Sequence, residues 1–156
     1  MKAEKTNAMR QLERKKLDYR VHTYDGGALS GTEVASVLGQ DVSRVFKTLV
    51  TAGKSGQHYV FMVPVAQELH LKKAAAVGEK SVAMIAQKEL LPLTGYIHGG
   101  CSPIGMKKQF PTVIDASVPE DGTIFFSGGR VGIQIETTLQ SLQQIVPLTI
   151  ADICEA

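Results

Sequence analysis

VFKTLVTAGKSGQHYVFMVPV, residues 45–65, contains two β-runs folded about a turn. Val45 to Ala52 and His58 to Val65 flank Gly53-Lys54-Ser55-Gly56, whose glycines and serine supply turn chemistry and predict a hairpin. The Gly53-Lys54-Ser55 triplet invites a phosphate-loop reading, but that motif needs a glycine five residues before its Gly-Lys pair, and Thr48 stands there. No helical pattern follows the triplet either, so the turn reading holds. Within the first run, alternation sets Lys47 on one face with Val45 and Leu49. A lysine on a mostly apolar strand face needs a reason. Either it guards a sheet edge against aggregation, or its ammonium meets an anion or a carbonyl in a pocket.

Working outward, Thr6 or Asn7 caps a predicted helix running to about Lys16, with Ala8, Met9 and Leu12 inward. Tyr19 to Tyr24 alternates as a strand and ends at Asp25-Gly26-Gly27. Ser30 and Glu33 form an S-x-x-E capping box for a short helix that Gly39 stops. Lys73 to Val77 and Met84 to Leu90 read as short helices. The β-runs at Thr112–Asp115, Thr123–Ser127 and Gly132–Glu136 are too closely spaced for βαβ crossovers. Leu139, Leu142 and Val146 then make a helical stripe, and Leu148 to Ile153 a closing strand. The expected fold is α+β, one domain over residues 1–156, with a mixed, curled or barrel-like β-sheet and surrounding helices.

Composition narrows the function. With aromatics at 6% and no Trp, a platform for stacking single-stranded bases is not available. A net charge of +2 is too mild to argue for nucleic-acid binding by itself. Yet residues 1–20 hold seven basic side chains (Lys2, Lys5, Arg10, Arg14, Lys15, Lys16, Arg20) against Glu4, Glu13 and Asp18. The basic side chains are either a solvated face or a weak contact for phosphates, with Arg10, Arg14, Lys15 and Lys16 the candidates. No signal peptide or membrane span is evident, and Cys101 and Cys154 suggest neither a disulfide framework nor a zinc knuckle. A reducing cytoplasm, no metal and no cofactor are expected.

Glycines are densest at Gly99-Gly100-Cys101-Ser102-Pro103-Ile104-Gly105, with Lys107 and Lys108 following. The segment reads equally as a surface loop or as a backbone cradle for an anion or oxyanion, since paired glycines let N–H groups approach a ligand. Ser102 does not suit a nucleophile elbow with His98 and Asp115, because the next residue, Pro103, has no N–H for an oxyanion. Cys101 beside His98 is the cysteine alternative, and local sequence alone does not tell an activated thiol from a small apolar filler. Ser127-Gly128-Gly129-Arg130 forms a second glycine turn after Ile124-Phe125-Phe126.

Taken in order, Val45–Val50, Leu69–Lys73, Gly99–Lys108, Pro111–Asp115, and Phe126–Gly129 with Gly132 resemble the YbaK/EbsC family, over nearly the whole chain. This family resembles the editing domain inserted in bacterial prolyl-tRNA synthetase and includes free-standing Cys-tRNA(Pro) deacylases. The resemblance implies an enzyme that removes a mischarged amino acid from tRNA, most simply from Cys-tRNA(Pro), and it makes tRNA rather than DNA or membrane the partner. Prolyl-tRNA synthetase is implied as a second partner. Lys47 matches the family's required lysine, which engages the tRNA 3′ end, and Gly99, Gly100 and Ser102 match its substrate-pocket loop. Pro103 and Gly105 with Ser127, Gly128 and Gly129 complete the implied substrate-binding set.

The resemblance also implies a mechanism without a protein nucleophile. In the Cys-tRNA(Pro) enzymes the substrate's own thiol attacks its ester and leaves as a thiolactone, whereas other members position a water. Positioning and electrostatics then supply the catalysis. Some members carry an acidic residue where this chain has Gln134, and some carry Ile at position 101. Two other function classes compete: a non-catalytic module that binds a nucleotide or tRNA 3′ end, and a thiol hydrolase using Cys101.

Overall fold

The computed structural model describes residues 5–25 and 29–155. Thr6 caps helix α1 (Asn7–Arg14), and Ala8, Met9 and Leu12 are its buried residues, as the periodicity predicts. Strand β1 (Arg20–Thr23) follows, and the expected turn at Gly26-Gly27 lies outside the described residues. Helix α2 (Gly31–Val37) starts with the full reciprocal capping box between Ser30 and Glu33. Gly39, at φ 66°, sits just past its C-cap.

The hairpin is β2 (Phe46–Gly53) and β3 (His58–Pro64), paired antiparallel from Phe46↔Pro64 to Ala52↔His58. After α3 (Leu71–Ala74) the chain departs from the predicted helix over Met84–Leu90. Val82–Met84 is instead strand β4, held against Thr51–Gly53, and α4 begins only at Gln87 and runs to Thr94. Local helical patterning loses there to a ladder supplied by β2, a tertiary effect that a short apolar window does not reveal. Strands β5 (Thr112–Asp115), β6 (Ile124–Ser127) and β7 (Ile133–Thr137), helix α5 (Leu139–Ile145) and strand β8 (Leu148–Ala151) finish the fold.

The strands form a three-stranded sheet ordered β1-β7-β6 and a five-stranded sheet ordered β4-β2-β3-β5-β8. The fold is α+β and the larger sheet is mixed, since β5 runs parallel to both β3 and β8. Those parallel pairs are joined through long excursions, 65–111 and 116–147, and the closely spaced β6 and β7 pair antiparallel as expected. A parallel bridge, Val45↔Phe125, ties the sheets at one corner, and among the described residues no closed barrel forms.

The main core lies between the sheets. Phe46, Met62 and Ile114 from the larger sheet meet Ile124, Phe126, Ile133 and Ile135 from the smaller, with Met9 of α1 and Leu142 of α5 completing the cluster. A second cluster continues along the same face of β2 and β3 through Val50 and Val60 to Tyr96, Cys101 and Phe110. Both clusters are aliphatic-rich, and their burial is the main driving force that fixes the sheets relative to each other. Thr48 lies between them, the polar member of the row Phe46-Thr48-Val50.

Candidate functional site

β4 pairs with β2 only at Thr51–Gly53, and the bridge to Phe125 is made by Val45. Between these anchors the edge of β2 has no partner strand among the described residues, and there the protein opens a cleft of about 400 Å³. All six consecutive residues from Val45 to Val50 line it, which follows from a strand edge forming one wall. Ser30, Gly31 and Val34 of α2, Gln87 and Leu90 of α4, His98, Gly99 and Cys101 of the glycine-rich loop, and Ser127 and Gln134 of the smaller sheet form the others.

Lys47 is the cleft's lysine. Its side chain is 27% exposed and its Nζ stands 3.6 Å from Glu68 Oε1. Glu68 is itself 76% exposed, so this ion pair is loose and solvated.

The loop 99–105 is held from behind. Asn7 Nδ2 donates to the Gly105 carbonyl at 2.6 Å, and Tyr96 Oη donates to the Ile104 carbonyl at 2.6 Å. Gly105 has φ 79°, and a Cβ there would lie 3.1 Å from the Ala8 amide nitrogen, so α1 and a left-handed backbone both demand glycine. A Cβ on Gly100 would lie 3.0 Å from both Arg130 Cα and Val131 N, so the two glycine turns pack backbone to backbone.

Of the residues singled out by sequence, Lys47, His98, Gly99, Cys101, Ser127 and Gln134 line the cleft, and Ser127 Oγ also accepts from the Gly129 amide at 3.2 Å. Gly100, Ser102, Pro103, Gly105, Gly128 and Gly129 sit behind that wall. The Gly100 amide donates within its own turn to the Ile97 carbonyl, and Ser102 is fully buried with Oγ accepting from the Ile104 amide at 3.3 Å. Arg10 and Arg14 of α1 and Lys15 and Lys16 just past its end are exposed and are not among the cleft-lining residues.

Cys101 lines the cleft but is only 7% exposed, and burial pushes its thiol up to about 12, against a lowering contribution from Thr94. At neutral pH the thiol stays protonated and is a poor nucleophile. Among the described residues no group of three or more His, Cys, Asp or Glu side chains is placed to hold a metal ion, and no helix is long and apolar enough to cross a membrane.

Among the described residues, two buried polar atoms of cleft-lining side chains have no hydrogen-bond partner, Thr48 Oγ1 and Gln134 Oε1. Sequence reading passed over Thr48, although a hydroxyl between Phe46 and Val50 on a core-facing row was a signal. Gln134, between Ile133 and Ile135, stood out only as a departure from relatives.

The aminoacyl-tRNA editing domain model matches residues 27–145, which include every cleft-lining residue except Tyr24. The chain belongs to the aminoacyl-tRNA editing domain family. It is 43% identical, over 96% of its length and 93% of the relative's, to EbsC of Enterococcus faecalis, a protein provisionally named a Cys-tRNA(Pro)/Cys-tRNA(Cys) deacylase. It is 33% identical over 100 residues to the proline–tRNA ligase of Trichlorobacter lovleyi, 64% of this chain but 17% of that enzyme. A crystal structure provisionally described as a trans-editing enzyme for prolyl-tRNA synthetase superposes with a TM-score of 0.86, covering 99% of this chain and all of that one at 25% identity. This editing domain thus occurs as a whole chain and as a segment of a synthetase.

Proposed function

We propose that this chain is a free-standing trans-editing deacylase, one editing domain acting in the cytoplasm on mischarged tRNA, with Cys-tRNA(Pro) its substrate. The observation that carries the reading is a lysine on an open strand edge that shares its cleft with a glycine-rich loop whose thiol, Cys101, burial keeps protonated. Lys47 engages the negatively charged or carbonyl-bearing part of the tRNA 3′ end. The backbone at Gly99 and Cys101, set in place by Gly100, Ser102, Pro103 and Gly105, shapes the wall that holds the ester, and Ser127 with its glycine turn shapes the opposite wall.

The chemistry that suits this site is substrate-assisted. The cysteinyl thiol, losing its proton to solvent, attacks its own ester carbonyl; the C–O bond to the ribose breaks, the 3′ oxygen takes a proton, and a thiolactone leaves. The protein contributes orientation and stabilisation of charge on the carbonyl oxygen, which are large effects without covalent catalysis. The likeness of this domain to a segment of a proline–tRNA ligase supports prolyl-tRNA synthetase as the partner that supplies tRNA selection. Incubating the protein with Cys-tRNA(Pro) and Ala-tRNA(Pro) and following loss of the acyl group tests the reading. Cleavage of either supports a deacylase and identifies the residue removed, whereas binding without turnover of both would make the chain a 3′-end-binding module.

A further inference from the structure

Gln134 lines the cleft, and its side-chain carbonyl oxygen is buried with no hydrogen-bond partner among the described residues. The residue is 7% exposed, on the face of β7 opposite Ile133 and Ile135, and its ladder partner across to β6 is Ser127. A buried acceptor left unpaired costs on the order of 1–3 kcal/mol. Most buried side-chain polar atoms in folded proteins have partners, so an exception in a ligand cleft points to a ligand that completes it. That ligand group must be a donor.

An aminoacyl ester offers few donors. Its phosphates and its ester carbonyl are acceptors and would be repelled by Gln134 Oε1. The ribose hydroxyls belong to the bulky nucleoside, and the side chain varies from one amino acid to another. The α-amino group is small, is one bond from the reacting carbonyl's neighbour, and is common to every unblocked aminoacyl-tRNA. A neutral amide also suits an unoccupied cleft better than a buried carboxylate, whose desolvation without a partner is far more costly. Lys47 leans to Glu68 at 3.6 Å, which keeps one counter-charge beside the cleft's own ammonium.

We infer that Gln134 is the residue that recognises the free α-amino group of the aminoacyl ester, so that the cleft selects unblocked aminoacyl-tRNA and rejects chains whose amino group is absent or acylated. The contact also positions the ester: holding the amine fixes the rotation about the bond to the carbonyl, and a positioned ester reacts faster. Thr48 Oγ1, the other unpaired buried atom in the wall, is a second polar point against which the same end of the substrate settles. This inference rests on the deacylase reading above.

The test compares Cys-tRNA(Pro) with 3-mercaptopropionyl-tRNA(Pro), which keeps the thiol, the ester and the ribose hydroxyls and lacks only the amine. Each enzymatic kcat/KM is divided by the spontaneous cleavage rate of the same ester, because the amine also changes intrinsic reactivity. Wild type is expected to prefer the amine-bearing ester by about tenfold or more, the scale of one hydrogen bond to an otherwise unpaired buried acceptor. Gln134→Leu should bring that ratio close to one, and Gln134→Glu, which keeps an acceptor, should restore it. A wild-type ratio near one overturns the inference while leaving the deacylase reading intact, and it needs no variant to fold. Full discrimination by a folded Gln134→Leu overturns it too. Failure to cleave either ester, or Ala-tRNA(Pro), overturns the deacylase reading instead.

Discussion

Lys47 Nζ and Glu68 Oε1 stand 3.6 Å apart at the edge of the cleft, too far for a hydrogen bond and close enough for charge to matter. A pair with so exposed a carboxylate contributes at most about 1 kcal/mol, so an incoming substrate group displaces Glu68 readily. Lys47→Ala and Lys47→Met should therefore lower single-turnover deacylation of Cys-tRNA(Pro) by about a hundredfold or more with little change in the thermal melt. Met keeps the stem and removes only the charge. Glu68→Gln should leave the rate within about fivefold of wild type. Near-normal rates in both lysine variants would remove Lys47 from the site.

Cys101→Ala should keep most deacylation activity and show no shift in its pH profile between pH 6 and 9, because the thiol, held at about 12 by burial, is protonated throughout that range. A folded variant slowed by several orders of magnitude would revive the thiol-hydrolase reading.

Asn7→Ala removes the donor to the Gly105 carbonyl, a contact spanning 98 residues of sequence. A loss of roughly 0.5–1.5 kcal/mol in denaturant unfolding is expected. Because that contact steadies the loop behind the cleft wall, KM for the acylated tRNA should rise as well; a stability loss with unchanged KM would limit Asn7 to folding.

Asp115 is 5% exposed, and burial pushes its carboxyl up, but donation from Ser117 and from the Ile153 amide (3.1 Å) outweighs it and leaves the group below its ordinary value. A folded-state value lower than the unfolded one adds stability above the ordinary carboxylate range, and this contribution disappears as pH falls through the folded value. Wild type should thus lose stability on acidification below about pH 4, and Asp115→Asn should be less stable at pH 7 and less sensitive over that acid range. Urea midpoints at pH 7 and pH 3 measure both.

Neutralising Arg10, Arg14, Lys15 and Lys16 together should weaken tRNA binding and reduce its salt slope, if α1 supplies phosphate contacts from outside the cleft. An unchanged slope would assign those charges to solvation alone.

The elements legible in sequence were those whose signals are local: the Thr6 cap, the Ser30/Glu33 box, the Gly53–Gly56 turn and the apolar stripe of α5. What sequence missed was decided by partners distant along the chain. Val82–Met84 is a strand because β2 offers it an edge, and the same edge, left bare from Phe46 to Leu49, makes the cleft. Lys47 was legible because a charge on an apolar face is conspicuous. Thr48 and Gln134 were not, because a buried hydroxyl or amide becomes informative only when its missing partner is seen.

A Cβ on Gly100 would press on the Arg130 and Val131 main chain, so the two glycine turns hold each other in place. A larger residue at 100 would displace the other turn, whereas position 101, whose side chain lines the cleft, stays open to exchange. A change of amino-acid preference, in nature or by engineering, is therefore expected on the side chains that line the opening, those at 48, 101 and 127 among them. The glycine turns fix the spacing of the chamber, and the side chains that line it set what fits.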